Sequence, residues 1–474
     1  MGVFAVAAAW AQAPAGPPSD PGEIRGLLVM RGSDVLVEER ADLRLTPASV
    51  HKLLVSAAAL HHLGPEYRFR SRVEAATLAE GVASGLRLVG GGDPTWHEEF
   101  FEEDSTRPLR ELADQVFAAG VRRVDGDLIL DADAVRGRPV PVDWGVADAT
   151  LGYGAAPSAL AIDRNRTTIR IGPGGQVGRP ARILEAGGLS WVNRSVTVEA
   201  ERHGRGTIAF DLEADRAAAT LRGEYPISER AIEVDIATPD ADGRVGWAFV
   251  EALRARGIAF DGEVVVESSA RDRSDPRGAS ERRQLGLFES APLRDILVPL
   301  LADSDNFTAE MLLRHVGLQV GGAGRLDVGL DAVETFLLEV VGWHEDQFEL
   351  DDGSGLSPFN LLAPRAVVDL LQWAWRQPWR PFFFEALASP AQGTVSEFWP
   401  NAPPLRAKTG TIRQTQCLAG VLLPGAGNGR VPALGEEAPD PVFFAWMVNH
   451  ATRSRTEIRR EVMSTLRSWQ ATLF

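Results

Sequence analysis

Apolar periodicity changes character twice along this chain, and that change limits its fold more than any other feature. Two short strands at 26–30 and 34–39 meet at Arg31-Gly32-Ser33, and after Thr46-Pro47 an Ala/Leu-rich helix is expected over 49–62. From 69 to 285 the texture becomes short β-rich runs punctuated by glycine and arginine, as at 86–89, 127–130, 167–171, 196–199 and 263–267. Helical spacing returns at 292–302, 309–316, 329–341 and 364–375. Strands at 416–423 and 441–449 and an amphipathic helix close the chain. The pattern reads as a helix-rich domain of α/β (α+β) class interrupted by a long β-rich insertion, and 474 residues give room for two or three domains.

Charge and composition narrow the function. With 65 acidic against 49 basic side chains the net charge is −16, which repels a phosphate backbone and argues against a nucleic-acid partner. No run of about 18 membrane-grade apolar residues occurs, so no transmembrane segment is expected. The single cysteine, Cys417, reads as a small core residue and excludes any site that needs two thiols. None of the eight histidines sits in H-E-x-x-H, and no metal or other cofactor is expected. At the N-terminus a short apolar run ends in Ala11-Gln12-Ala13, a small-x-small pattern, and is followed by a Pro-rich stretch. Residues 1–13 are expected to be an export signal.

The chemical clue lies inside the basic total, which is 47 arginines and two lysines, Lys52 and Lys408. A lysine can give up its proton when desolvated or placed beside another cation, whereas a guanidinium effectively cannot. Lys52 closes Ser49-Val50-His51-Lys52, and on a helix positions i and i+3 share a face, so the hydroxyl and the amine can meet as a nucleophile with a built-in base. Lys408 opens Lys408-Thr409-Gly410-Thr411 just before the closing strands, where an edge strand can offer a backbone N–H to a carbonyl oxygen and the amine can bind a carboxylate. Between them stands Ser304-Asp305-Asn306, which taken alone is a helix N-cap. S-x-x-K, S-D-N and K-T-G together, in this order, form a signature of active-serine enzymes that react with penicillins. Two lysines dealt at random among the basic positions would both fall in these motifs roughly once in a thousand times.

The sequence resembles the type-4 (class C low-molecular-mass) penicillin-binding proteins, a family of D-alanyl-D-alanine carboxypeptidases and endopeptidases. Besides the three motifs, the resemblance rests on Leu88-Val89-Gly90-Gly91-Gly92-Asp93-Pro94-Thr95, Gly126-Asp127-Leu128-Ile129-Leu130-Asp131, Pro157-Ser158-Ala159-Leu160 with Asp163-Arg164-Asn165, and Asp352-Gly353-Ser354-Gly355-Leu356-Ser357 with Asn360. It implies a serine β-lactamase/transpeptidase-like domain formed by 22–68 and 286–474, an inserted domain of 69–155 and 240–285, and a nested domain of 156–239. Phe307, where leucine is common, and the run from Ile412 to Cys417 depart from the family pattern.

The resemblance also implies roles. Ser49 would be acylated, Lys52 would take its proton, Ser304 would relay that proton to the leaving amine, and Asn306 would hold both Lys52 and the substrate amide. Lys408 and Thr409 would bind the terminal carboxylate, Gly410 would belong to the same substrate-binding segment, and the N–H groups of Ser49 and Thr411 would form the oxyanion hole. Asp148, in a Trp144 to Tyr153 segment, would meet the free amine of the stem-peptide side chain, with Asp143 as its substitute. The expected partners are peptidoglycan stem peptides and, as inhibitors, β-lactams, and the expected location is periplasmic or otherwise extracytoplasmic. Two other readings share the motifs: a β-lactamase, against which the insertion argues, and a noncatalytic peptidoglycan-binding or β-lactam-sensing protein. Neither the balance of carboxypeptidase and endopeptidase activity nor the oligomeric state is legible in the sequence.

Overall fold

In the computed structural model the described residues are 22–473 without 103, 138–139, 146–147, 200–207, 213–217, 239, 268–281, 425–430, 432–435 and 437–439. The expected signal at 1–13 lies outside them. The chain divides into two compact units, one of 1–68, 141–143 and 291–474, the other of 69–140 and 144–290.

The first unit is organised by an antiparallel sheet made from both ends of the chain. Its strands are β1 (Ile24–Arg31), β2 (Asp34–Glu39), β3 (Leu405–Ile412), β4 (Thr415–Leu422) and β5 (Val442–Asn449), in the order β2-β1-β5-β4-β3. Every residue of β4 and β5 is buried, so both faces of the sheet are covered and the two strands read as nearly continuous apolar runs. Alternation assigns the faces. Leu27, Val29, Leu418, Leu422, Phe444 and Trp446 cluster with Ile458, Val462, Leu466 and Trp469 of the C-terminal helix Arg455–Leu473. On the other side, helix Pro364–Trp375 packs on β1, β4 and β5, and its Trp375 ring lies 5.7 Å from that of Phe443.

Two further helices of this unit carry the motifs. Helix α1 (Lys52–His62) is buried along nearly its whole length, as its Ala/Leu composition requires, and packs on helix α2 (Asn306–Gly321). Three details differ from the sequence expectation. Ser49 sits in a 3₁₀ turn, Ala48–His51, rather than in the first α-helical turn. Helix α2 begins at Asn306 rather than near Ala309, because the Asp305 carboxylate accepts the Thr308 N–H at 2.6 Å and caps it three residues earlier. The helix Leu326–Phe336 also stops short of the expected 341 and opens into a wider turn over Leu337–Val341.

The second unit holds a five-stranded sheet of Val264–Glu267, Leu128–Asp131, Leu86–Val89, Arg70–Ala75 and Arg283–Glu289, in that order. Helices Arg107–Ala118 and Ala241–Ala255 share its core through Leu109, Leu112, Val116, Val245, Phe249 and Leu253. Two three-stranded sheets, centred on Arg166–Gly172 and Ala218–Pro226, enclose a separate cluster that includes Ile169, Ile171, Leu221 and Ile236.

Strand β3 is the edge strand of its sheet, bridged to Ala388 at Ala407, and lies on the 3₁₀ turn of Ser49. Gly410 makes that approach possible, since a Cβ there would stand 2.5 Å from the Pro47 carbonyl oxygen and 3.2 Å from the Ala48 Cβ. Overpacking a rigid site of this kind typically costs about 1–3 kcal/mol. Gly410→Ala is therefore expected to lower the unfolding free energy by about that amount in a denaturant titration. A variant as stable as its parent would show that the strand and the turn are not closely packed.

Candidate active site

Lys52 is fully buried at the start of α1, and its ammonium group has three hydrogen-bond acceptors at short range: Ser49 Oγ at 2.8 Å, Asn306 Oδ1 at 2.7 Å and the Ser354 carbonyl oxygen at 2.6 Å. An ammonium carries three N–H donors, so all three are satisfied. Burial is the largest influence on its pKa and pulls it down to about 8, against the opposing pull of Asp352, Asp305 and Glu310. Lys408 is equally buried. Desolvation first, then the charge of Lys52, holds its amine well below the usual lysine range, with Asp303 acting in the other direction. Its Nζ donates to the Thr409 carbonyl at 3.0 Å.

The three sequence motifs come together within the first unit. Ser49, Lys52 and Asn306 share the bonds just described. Ser304 is half-buried in the left-handed region at φ 69°, a strained state for a non-glycine residue of the kind that collects at functional sites. Thr409 is bridged to the segment before Ser304 by Thr394, whose hydroxyl lies 2.8 Å from Thr409 Oγ1 and 3.2 Å from the Ala302 carbonyl, while its N–H donates to that same carbonyl. Thr411 Oγ1 accepts from Gln416 Nε2 at 3.1 Å. Asp148 belongs to the second unit, where its carboxylate accepts the Tyr153 hydroxyl at 2.6 Å. Asp143 belongs to the first unit, is exposed, and faces Asp351 within hydrogen-bonding reach. Asp351 is raised chiefly by burial, with the Asp143 carboxylate adding to the effect.

Several residues that organise the site have no motif role readable from the sequence. The loop Asp352–Ser357 supplies the Ser354 carbonyl and is held from within by Asp352, whose oxygens accept from the N–H groups of Gly355 and Ser357 at 2.6 and 2.7 Å and from Asn360 Nδ2 at 2.9 Å. Glu310 and Arg314 form a wholly buried ion pair at 2.8 Å, one helical turn apart on α2. Their signal was a charged i, i+4 pair inside an otherwise apolar helix. Thr394 had no signal at all, because its partners lie 15 and 92 positions away. Cys417 is buried on β4, and desolvation pushes its thiol up to about 12, so it is an inert core residue at neutral pH. Among the described residues no cluster of His, Cys, Asp and Glu is arranged to hold a metal ion.

A hydroxyl and a depressed amine at hydrogen-bond distance, beside the edge strand of an antiparallel sheet, are the groups that an active-serine acyl transfer needs. The sequence matches the D-Ala-D-Ala carboxypeptidase 3 (S13) family over residues 18–473, and the chain belongs to that family of serine peptidases. A D-alanyl-D-alanine carboxypeptidase of Actinomadura sp. (strain R39) is 31% identical over 431 residues, covering 85% of this chain and 76% of the relative. The fold is that of penicillin-binding protein 4 (dacB) from Haemophilus influenzae, with a TM-score of 0.80 at 19% identity over 99% of both chains. A second structure of that protein, complexed with a β-lactam, matches with a TM-score of 0.76 at 20% identity over 96% of this chain and 97% of the other. Among the described residues no helix is long and apolar enough to cross a membrane.

Proposed function

We propose that the protein cleaves the D-alanyl-D-alanine bond of peptidoglycan stem peptides through an acyl-enzyme on Ser49, outside the cytoplasm, and that β-lactams inhibit it by acylating the same serine. The observation that carries this reading is the set of three bonds at Lys52. When the amine is neutral it keeps two N–H donors and gains one lone pair. Asn306 Oδ1 and the Ser354 carbonyl can only accept from that amine, so they take the two N–H bonds and the lone pair is left facing Ser49 Oγ. The contact to Ser49 then reverses, and the hydroxyl donates to the amine. Lys52 is thereby placed to take the proton as Ser49 Oγ attacks the carbonyl carbon of the penultimate residue.

The remaining steps use the other motifs. The N–H groups of Ser49 and Thr411 stabilise the oxyanion of the tetrahedral intermediate. The proton passes from Lys52 through Ser304 to the leaving amine, the C–N bond breaks, and D-alanine departs. A second D-alanine-linked stem departs instead when the substrate is a cross-link. Lys408 and Thr409 hold the terminal carboxylate, and water then hydrolyses the ester. With a β-lactam the bond that breaks is the ring amide, so the leaving nitrogen stays tethered and blocks that water. Mass-spectrometric identification of the products from purified protein and cross-linked peptidoglycan fragments tests the reading. Release of neither D-alanine nor separated stems would leave the protein a binder or sensor.

The free side-chain amine of the stem is assigned to one of two carboxylates, Asp143 or Asp148. Asp143 has the stronger support, because it is exposed, belongs to the unit that holds the motifs, and faces a second carboxyl at Asp351, whereas the carboxylate of Asp148 is engaged by Tyr153. A charge-assisted bond to an ammonium contributes about 1.5–3 kcal/mol, a factor of roughly ten to a hundred.

Three outcomes are expected. Ser49→Ala removes covalent labelling by fluorescent penicillin without loss of fold, and Lys52→Arg is nearly as damaging, because a guanidinium retains its proton; labelling within a few-fold of the parent would remove these roles. The acylation rate in the unaltered enzyme rises with pH through a limb near 8, since Lys52 acts only when deprotonated. A flat profile would exclude Lys52 as the base. Asp143→Asn lowers kcat/KM about ten- to a hundred-fold for stem peptides with a free side-chain amine and leaves their acetylated analogues nearly unchanged. The same selective loss in Asp148→Asn, and not in Asp143→Asn, would move the assignment to Asp148.

A further inference from the structure

Asn306, Glu310 and Arg314 stand at i, i+4 and i+8 on one face of α2, and they form a relay that ends at the catalytic amine. Asn306 touches Lys52 directly. Glu310 reaches it through the backbone, because its Oε1 accepts the N–H groups of Gly353 and Ser354 at 2.8 and 2.9 Å, and Ser354 supplies the carbonyl on Lys52. Arg314 Nη1 donates to Glu310 Oε2 at 2.8 Å and to the Glu310 carbonyl at 3.0 Å. Both carboxylate oxygens of Glu310 therefore accept, which is the bonding of an ionised group.

We propose that the Glu310–Arg314 pair is a positioning device for the reaction: it fixes the Ser354 carbonyl that aims the Lys52 lone pair at Ser49, and its negative end tunes the pH at which that lone pair becomes free. The inference rests on the reading of Lys52 as the base. Both charges are completely buried, and a buried ion pair is a poor source of stability compared with apolar residues of the same volume. The bonds to Gly353 and Ser354 give the pair a use that an apolar pair could not supply. Asp352 steadies the same loop from its other side, through Gly355 and Ser357, so the peptide carrying the Ser354 carbonyl is gripped at both ends.

The charges facing Lys52 fix the sign of the effect. Asp352, Asp305 and Glu310 favour the ammonium, Lys408 is itself depressed by desolvation and by the Lys52 charge, and the neighbouring His51 is buried with its own pKa lowered chiefly by desolvation. Removing the Glu310 charge takes away one attraction for the proton, so the amine deprotonates at lower pH. Arg314 lies behind Glu310, one helical turn farther along α2.

Glu310→Gln alone would leave the Arg314 charge buried without its carboxylate and could fail to fold. The test therefore uses two neutralised pairs, Glu310→Gln/Arg314→Met and Glu310→Leu/Arg314→Met, in the full chain, with near-ultraviolet circular dichroism reporting the folded fraction. Acylation by a fluorescent penicillin is followed from about pH 5 to 10. The Gln pair keeps the acceptor for the two N–H groups, and its acid limb is expected about one unit lower than that of the parent. The Leu pair loses the acceptor as well, and its plateau rate is expected to fall at least about ten-fold below that of the Gln pair. Limb and plateau equal to the parent in both variants, per folded molecule, would reduce Glu310 to a structural residue and overturn the inference. An unaltered enzyme with no acid limb at all would instead overturn the reading of Lys52.

Discussion

The rest of the site depends on the burial of one amine. Moving the Lys52 ammonium out of water is expensive, and the fall of its pKa from the ordinary 10.5 to about 8 corresponds to a destabilisation of the ammonium relative to water of about 3 kcal/mol. Three acceptors and three carboxylates keep that destabilisation from going further. Fewer compensating groups would yield an amine that is neutral at every physiological pH, too weak a base to draw the proton from a serine. A more open site would yield an ordinary lysine, protonated and unable to accept. The groups around Lys52 set a balance between those two failures.

That balance explains why the site is assembled from distant parts of the chain. The turn carrying Ser49 and Lys52 comes from the N-terminal segment, Asn306 from the head of α2, the Ser354 carbonyl from a loop, and Lys408 from an edge strand. Each is locked to rigid structure by a bond of its own: Asp305 caps α2, Asp352 grips the loop, and Thr394 ties Thr409 to Ala302. The two ends of the chain meet in the pairing of β1 with β5, with Ile24 opposite Asn449. The segment from 69 to 290 departs and returns between neighbouring bonds, the Tyr67 carbonyl accepting the Leu293 N–H. Because the entropy of closing a loop grows only with the logarithm of its length, so long an excursion is tolerable once its ends are joined.

What the sequence revealed and what it hid follow from the range of each interaction. Many elements of the first unit were legible because their apolar residues are patterned: β4 and β5 are nearly continuous apolar runs, and Ile458, Val462, Leu466 and Trp469 repeat at helical spacing. Ser49 and Lys52 were legible because their contact is local and lysine is scarce in this chain. The 3₁₀ turn under Ser49 was not, since it arises where β3 and the loop at Gly355 press on Ala48, and no local propensity encodes it. Ser354 was hidden for a different reason: it acts through its carbonyl oxygen, which every residue possesses, and the side-chain pattern of the loop records only how Asp352 folds it. A three-residue difference in the start of α2 likewise turned on whether Asp305 or a later residue provides the cap.

Arginine has replaced lysine almost everywhere in this chain, and at several of those positions it pairs charges. Arg25 joins Glu39 and Glu461, Arg453 joins Glu23 and Glu461, and Arg314 joins Glu310. A planar, permanently charged fork suits each of these sites, because a carboxylate is always waiting for it. At position 52 the same fork would fail twice: it would hold its proton, and its width would not fit three acceptors that converge on a single nitrogen at 2.6 to 2.8 Å. At position 408 a permanent charge would sit fully buried opposite Lys52, and the depression of that amine shows how poorly a second cation is tolerated there. The two exceptions in the composition are thus the two fully buried amines, each held below the usual lysine range by desolvation.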